Sequence, residues 1–305
     1  MLTITEFKNP VLPGEFADPD LVCFDGKLYI YPTTDGFEGW SGTQFQAFSL
    51  EEDGRFQSHG VILDVASDQV SWATGHAWAP CMLRKNGVYY FFFCAKDATG
   101  ESCIGLATAK SPLGPFAARP QPLVTMPMMR EHGIRMWQTI DPSVYVEGED
   151  MWLLFGNGAP AIAKLSPDLT GLVPGTLRNI DGAEDFREAI AVMKRGGFYH
   201  FTWSCDDTGS ENYHVNYGVA DNLYGPIHYQ YPILEKDVAR GILGTGHHSI
   251  VRMQGTEEHS SDRYFIAYHR FATPIGKYTE GKGWHREVCI SPLAFGDDGL
   301  MQKVR

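Results

Sequence analysis

The sequence of 305 residues lacks several features that would place it in other classes of protein. It has no run of about 18 apolar residues, so no membrane-spanning helix is predicted. Its N-terminus has no basic stretch followed by an apolar one, which argues against a secretory signal and favours the cytoplasm. Asp and Glu (37) outnumber Lys and Arg (25). Because nucleic acids and anionic membranes bind clustered basic residues, neither is expected as a partner.

Cysteine and linker sequence are also scarce. The six cysteines show no CxxC spacing, so a zinc or redox site is not indicated, and most lie in apolar runs where a reduced thiol packs as a small hydrophobe. Pro and Gly fall at turns rather than in a low-complexity block. We therefore expect a single domain over residues 1–305.

The sequence contains five copies of one pattern, in which two aromatic-rich apolar runs are joined by a polar or Gly turn. It recurs at 20–34, 79–96, 142–157, 188–204 and 249–270, at intervals of roughly 50–60 residues. Each repeat reads as a β-hairpin, since Val, Ile, Tyr and Phe favour strands and the turns supply Gly and Asn. The interval leaves room for a four-stranded sheet in each copy.

These repeats predict an all-β fold, a five-bladed β-propeller with four-stranded antiparallel blades around a central channel. The blades are placed near 17–64, 77–125, 139–181, 187–235 and 246–300. The N-terminal segment is free to pair with the last blade and close the ring, which removes exposed sheet edges. Because the first strand of each blade lines the channel, residues at the starts of these strands should meet at one mouth.

The starts of these first strands hold an unusual set of ionisable residues. They hold Asp18 in ADPD, Asp141 in IDPS, Glu188 in REAI, and His247 with His248 in GTGHHS. Three carboxylates directed into one pocket are electrostatically unfavourable unless function requires them. Both aspartates precede proline, which is expected to hold their backbone extended and so fix the direction of the side chain.

Each residue also has an ordinary interpretation. An Asp-Pro pair is a common turn, Glu188 could be one solvated charge in an acidic run, and His247 and His248 could be core histidines with satisfied hydrogen bonds. The same register in three blades, each giving a carboxylate, favours the functional interpretation.

The chain resembles glycoside hydrolase family 43, whose members are five-bladed β-propellers. The resemblance covers essentially the whole chain. It depends on the order and blade placement of ADPD (17–20), WAP (78–80), DPS (141–143), Glu188, GHHS (246–249) and HREV (285–288).

The resemblance implies a role for each motif residue and an inverting reaction. Asp18 matches the general base, Glu188 the general acid, and Asp141 the carboxylate that tunes and orients the acid. Arg286 matches an arginine that binds sugar hydroxyls. His247 matches a channel histidine that often contacts calcium or a similar ion through waters, although the chemistry itself requires no cofactor.

Inverting hydrolysis is consistent with this set of side chains on general grounds. One carboxyl protonates the leaving oxygen and another activates water from the opposite face, with about 6.5–9.5 Å between them. Trp78, Trp72 and Trp137 are predicted as sugar platforms because a flat apolar ring complements the C–H face of a sugar. Arg270 and His248 complete the predicted substrate-binding set.

The expected substrate is an arabinose- or xylose-containing oligosaccharide. Long insertions at 33–44 and 127–138 could close one end of the site, so we expect an exo-acting α-L-arabinofuranosidase. A β-D-xylosidase or an endo-arabinanase uses the same carboxylates and remains an alternative. A carbohydrate-binding propeller without activity is the non-enzymatic alternative, since fold alone does not assign function.

Overall fold

A computed structural model describes residues 7–255, 261–275 and 283–304. The turn of the fifth repeat (256–260) lies outside this description, as do 1–6, 276–282 and 305. Blade one consists of β1 Phe16–Phe24, β2 Lys27–Thr34, β3 Gln44–Leu50 and β4 Phe56–Asp64. Blade two consists of β5 Ala73–Lys85, β6 Val88–Asp97, β7 Ser102–Ala109 and β8 Ala117–Ala118, and is followed by helix α1 Met126–Glu131.

The remaining strands form three further antiparallel sheets. Blade three has β9 Ser143–Glu147, β10 Asp150–Phe155, β11 Ala161–Lys164 and β12 Arg178–Asn179. Blade four has β13 Phe186–Arg195, β14 Phe198–Cys205, β15 His214–Ala220 and β16 His228–Leu234. Blade five has β17 Gly246–Met253, β18 Arg263–Phe271 and β19 Arg286–Leu293. No helix of the described residues is long and apolar enough to cross a membrane.

The five sheets form a ring, and the predicted five-bladed propeller is confirmed. The buried apolar side chains fall into five clusters, one between each pair of neighbouring blades. No blade could bury both of its faces alone, so the repeats stabilise each other through these interfaces.

The N-terminal segment closes the ring as predicted. Val11 donates its backbone N–H to Val288 of β19, at 2.9 Å. The side-chain amide of Asn9 donates to the carbonyl of Ile290 (3.0 Å) and accepts from its N–H (2.8 Å), as a strand backbone would. The segment therefore covers the outer edge of a blade that has only three strands in the described part of the chain.

Each blade has a residue with left-handed backbone at a matching position near the start of its first strand. The five residues are Asp18, Ala79, Asp141, Ala189 and His247, with φ between 39° and 60°. In four blades the strand register shifts there, as in a β-bulge. The prediction that proline keeps Asp18 and Asp141 extended is therefore wrong, because both residues have left-handed backbone, Asp18 within a bulge and Asp141 just before β9.

These left-handed conformations persist because the N–H groups of four of the residues find partners in the preceding blade. Ala79 donates to Thr33 Oγ1 at 2.8 Å. The other pairs are His247 to Ser204 Oγ (2.9 Å), Asp141 to Cys94 Sγ (3.1 Å) and Asp18 to His269 Nδ1 (3.3 Å). A buried N–H without a partner is costly, so this ring of hydrogen bonds holds the strand starts in their strained conformation.

Blade three departs from this pattern at Gly156, which has no side chain to accept a hydrogen bond. Gly156 occupies the matching position, opposite Ile140. An added Cβ would lie 2.4 Å from the carbonyl oxygen of Ala159, so the chain requires glycine here. The N–H of Ala189 in blade four instead donates to the carboxyl of Asp141. One of the three predicted carboxyls is thus fixed by the neighbouring blade.

Asp20 joins blades one and two by a similar contact. Its Oδ2 accepts from the N–H of Met82 at 2.6 Å, and Ser249 accepts from Leu21 in the same way between blades five and one. Burial raises the pKa of Asp20 to about 7, although the Met82 hydrogen bond opposes the shift. The folded protein therefore retains a proton here that the unfolded chain releases above pH 4.

We expect Asp20→Asn to stabilise the protein in a pH-dependent manner. Because the folded-state pKa is raised, wild-type stability falls as the pH rises from about 4 to about 7, and the neutral amide removes this loss. The carboxyl borders a cavity that water can enter, so the gain should be about 1–3 kcal/mol larger at pH 8 than at pH 5. Urea unfolding at the two pH values measures it. Ser249→Ala removes the corresponding uncharged acceptor. It should lower the free energy of unfolding by the same amount at pH 5 and pH 8.

Candidate active site

The starts of the first strands meet at a central cavity of about 140 Å³. Asp18, Asp141 and Glu188 all line it, although they come from blades one, three and four. All three are buried, with 5–8 % of each residue exposed. The remaining lining residues are Trp40, Trp78, Gln138, Ile140, Asn157, Arg187, Asp207, Thr208, His247 and Arg286.

Asp18 is surrounded by cationic and hydrogen-bonding groups. Its Oδ1 lies 3.1 Å from Arg286 Nη1, 3.0 Å from His269 Nδ1 and 3.4 Å from His247 Nδ1. Burial alone would raise the pKa of Asp18, but the neighbouring Arg286 charge outweighs it and holds the pKa well below the ordinary value. Asp18 is therefore ionised at neutral pH.

Arg286 is fixed by a residue that the sequence analysis missed, Asp35. Arg286 Nε and Nη2 donate to the two carboxyl oxygens of Asp35, at 2.7 and 3.1 Å. Its Nη1 donates to Asp18 and to Thr208 Oγ1 (3.1 Å). The two-pronged contact with Asp35 orients the guanidinium, so Arg286 contacts the Asp18 carboxylate directly as well as lining the cavity.

Glu188 is in a different environment. Its Oε1 accepts from the hydroxyl of Tyr213 at 2.8 Å and its Oε2 from Asn157 Nδ2 at 2.6 Å. The nearest cation, Arg187, has Nε 4.0 Å from Oε2 and forms a closer ion pair with Asp207, at 2.9 Å. Burial raises the pKa of Glu188 above its ordinary value, and the hydrogen bonds only partly offset this.

Asp141 is close enough to Glu188 for each to affect the other's charge. Burial raises the pKa of Asp141 well above its ordinary value, and the carboxyls of Glu188 and Asp18 raise it further. The Ala189 N–H opposes this shift. Two neighbouring buried carboxyls cannot easily both ionise, which favours a proton on the pair.

The cavity therefore combines one carboxyl whose pKa is lowered with two whose pKa values are raised. A carboxylate with a low pKa can accept a proton from water, and a carboxyl with a raised pKa can donate one. Acid and base groups whose pKa values are driven apart by their surroundings are characteristic of catalytic sites that transfer protons.

Aromatic side chains form one wall of the cavity. Trp78 donates its Nε1–H to the carbonyl of Trp40 at 2.6 Å, and Trp40 packs edge-on against Trp284 with ring centroids 5.6 Å apart. Trp40 comes from the insertion at 33–44 and Gln138 from that at 127–138, so both insertions contribute to the wall.

A comparison with protein families matches residues 7–301 to the model of glycosyl hydrolases family 43. The chain belongs to glycoside hydrolase family 43. It is thus a glycosidase, and its hydrolytic chemistry needs an acid and a base but no cofactor.

Characterised relatives in family 43 extend over nearly the full length of this chain. "Xylosidase/arabinosidase 43A" of Humicola insolens is 30% identical, over 93% of this chain and 94% of its own length. "Beta-D-galactofuranosidase xynD" of Aspergillus niger is also 30% identical, over 97% of this chain and 84% of its own. The crystal structure of the GH43_1 enzyme from Xanthomonas citri complexed with xylotriose is 26% identical, with a TM-score of 0.77, and covers 97% of this chain and 93% of that one.

Some residues predicted to bind substrate lie elsewhere in this family 43 enzyme. Arg270 pairs with Glu287 (Nε to Oε1, 2.8 Å) and does not line the cavity. Trp72 stacks on Phe93 in the core, with centroids 5.9 Å apart. Trp137 is 66% exposed outside the cavity, with the Arg187 guanidinium 5.4 Å from its ring centroid.

His248 lies beside a second cavity, of about 180 Å³, that continues along the first strands. Its Nε2 hydrogen-bonds Thr202 Oγ1 at 2.6 Å. His248 was predicted to bind substrate, but it does not line the central cavity. Alternation along β17 directs consecutive residues differently, so His247 borders both cavities whereas His248 borders only the second.

His247 is the residue that the resemblance connects with a calcium ion. Its Nδ1 faces two carboxyls, 3.4 Å from Asp18 Oδ1 and 3.6 Å from Asp141 Oδ2. Across the described ranges, no group of three or more His, Cys, Asp or Glu side chains is arranged to hold a metal ion. These side chains do not form a metal cage of their own.

Proposed function

We propose that this family 43 protein is an inverting, exo-acting α-L-arabinofuranosidase that acts on arabinose-containing oligosaccharides. Asp18 is the general base, Glu188 the general acid, and Asp141 the carboxylate that keeps Glu188 protonated. The observation that carries the proposal is the opposite direction of the pKa shifts of Asp18 and Glu188 within one cavity.

The proposed reaction is a single displacement. Asp18 takes a proton from a water molecule, whose oxygen forms a bond to the anomeric carbon. Glu188 gives its proton to the glycosidic oxygen as the bond from that oxygen to the anomeric carbon breaks. The charge of Arg286 favours the ionised form of Asp18 before the reaction. The sugar is released with inverted configuration because water enters opposite the leaving group.

The preference for a terminal arabinofuranosyl residue is supported by the walls of the site. Trp78 offers an apolar surface, and Trp40 and Gln138 bring the two insertions to the edge of the cavity. A small walled cavity suits the end of a chain better than its middle. Two relatives bear printed names that include an arabinosidase or a furanosidase.

A β-D-xylosidase is the second candidate. The printed name of the Humicola insolens relative includes a xylosidase, and the Xanthomonas citri structure holds xylotriose. The same carboxyl groups serve either sugar, so the walls of the cavity decide between them. An endo-arabinanase is less well supported by this small cavity.

A substrate panel with analysis of the first product tests the proposal. We expect kcat/KM to be highest for 4-nitrophenyl α-L-arabinofuranoside, compared with the β-D-xyloside and the β-D-galactofuranoside. Proton NMR should show the β-anomer of arabinose first, and arabino-oligosaccharides should shorten by one residue at a time. A faster xyloside reaction would favour the second candidate. Retained configuration would contradict the assignment of Asp18, and sugar binding without hydrolysis would indicate a lectin.

A calcium ion near His247 is not required by this mechanism. Exhaustive chelation is therefore expected to leave kcat/KM unchanged, because Arg286 already supplies positive charge next to Asp18. Steady-state assays before and after chelation, and after adding calcium back, measure this. Loss of activity that calcium restores would show that an ion held partly by water is essential.

A further inference from the structure

We propose that Tyr213 and Asn157 are positioning residues that stabilise the carboxylate of Glu188 after it has given up its proton. The inference rests on the proposed function, in which Glu188 is the general acid. An acid must be protonated before the reaction but must also become a stable anion during it. The surroundings of Glu188 satisfy both demands because burial favours the proton while two hydrogen-bond donors favour the anion.

Both oxygens of Glu188 already have a neutral donor. Tyr213 donates to Oε1 at 2.8 Å and Asn157 to Oε2 at 2.6 Å. Hydrogen bonds to a charged group are worth more than those between neutral groups, so both contacts strengthen as the anion forms. Arg187 contributes less, since it lies 4.0 Å away and is paired with Asp207.

Tyr213 is held in position by its packing. It is fully buried, and its ring stacks on His269 with centroids 5.5 Å apart and planes 5° apart. Gly246 lies so close that a Cβ there would be 2.3 Å from the ring. The ring therefore cannot turn away, and the hydroxyl group stays directed towards Glu188.

A chain of hydrogen bonds sets the direction in which Tyr213 donates. The Ser204 hydroxyl accepts from the N–H of His247 at 2.9 Å and hydrogen-bonds the Tyr213 oxygen. Ser204 thus gives its own proton to Tyr213, whose proton points to Glu188. Successive donors polarise each other, which strengthens the last bond in the chain.

Asn157 is fixed by its backbone instead. Its N–H donates to Gln138 at 3.1 Å and its carbonyl accepts from Trp137 at 2.7 Å. Asn157 follows β10 at the edge of the cavity, so these two bonds place its amide group directly beside Glu188.

The pH dependence of the reaction tests this inference. The charged or titratable groups that face Glu188 are Asp18, Asp141, Arg187 and Tyr213. Tyr213→Phe keeps the ring and removes only the donor. We expect the alkaline limb of kcat/KM to move up by about one pH unit, because the anion loses a hydrogen bond. Asn157→Ala should move it in the same direction.

The leaving group provides the second measurement. Hydrolysis of an arabinoside with a poor leaving group should fall about tenfold in Tyr213→Phe, and that of a dinitrophenyl arabinoside by less than about threefold, because only the former needs the proton. Tyr217→Phe is the matched control. It removes another buried hydroxyl in blade four, one that lies 2.7 Å from His200 and away from the cavity, and should change neither measurement.

Several outcomes would overturn the inference. One is an alkaline limb that moves to lower pH, which would mean that the two residues stabilise the protonated acid. Others are an unshifted limb and equal losses for both leaving groups. Carboxyl ¹³C NMR of Glu188 reads the same pKa without catalysis. Inactive wild-type protein would therefore refute the proposed function alone, whereas active wild-type enzyme with an unshifted variant would refute only this inference.

Discussion

Asp18→Asn is expected to lower kcat/KM on arabinosides by about 10²–10⁴-fold, because the amide cannot take a proton from water. The substitution keeps the shape of the side chain, so the melting temperature should change far less than the activity. Steady-state kinetics on the purified variant, together with calorimetric measurement of arabinose binding, test this. Retained binding with lost turnover would show that Asp18 acts on the reaction and not on affinity.

Asp20→Asn is the matched control for this experiment. Asp20 lies two residues further along the same strand, carries a carboxyl whose pKa is raised, and does not line the central cavity. It should retain activity within about threefold, as expected for a substitution outside the reacting groups. If Asp18→Asn behaved like Asp20→Asn, the base would have to be another residue and a carbohydrate-binding role would gain support.

Glu188→Gln should produce a loss that depends on the leaving group. An oligosaccharide or alkyl arabinoside needs its leaving oxygen protonated, so its kcat/KM should fall by about 10²–10⁴-fold. A dinitrophenyl arabinoside leaves as a stable anion and should lose less than about tenfold. The alkaline limb of the pH profile should also disappear in the variant, since the group that loses its proton there is absent.

The control for Glu188→Gln is Glu184→Gln. Glu184 is an exposed acidic residue shortly before β13. It should react like wild type with every substrate. Equal losses for good and poor leaving groups in Glu188→Gln would remove Glu188 from the acid role and make Asp141 the next carboxyl to examine.

The hairpins could be predicted because their signals are local. The apolar runs at 88–94 and 198–203 lie in β6 and β14. The five repeats correspond to five blades whose boundaries are close to the predicted ones. Alternation of side chains along a strand and Gly-containing turns are properties of neighbouring residues, so one sequence is sufficient to recognise them.

The left-handed backbone at the strand starts could not be predicted in the same way. The rule for residues before proline gave the wrong backbone for Asp18 and Asp141, because their N–H groups bond to His269 and Cys94 in adjacent blades. Such partners are distant in sequence and belong to no motif. Arg270 was predicted to bind substrate but lies outside the cavity for a similar reason. Its side chain forms an ion pair with Glu287 on the neighbouring strand β19.

The supporting residues of the site also carry no sequence signal. Asp35 and Tyr213 look like ordinary turn and strand residues, and Asn157 only ends a strand. Each acquires its role by touching one functional side chain: Asp35 orients Arg286, while the other two hold Glu188.

The sequence by itself determined the repeat, the hairpins and the family, because these depend on residue type and spacing along the chain. The tertiary structure alone decided the direction in which the pKa of each carboxyl is shifted. The physical reason is that a pKa depends on burial and on charges within a few ångströms. In a ring of blades, those neighbours come from every part of the chain.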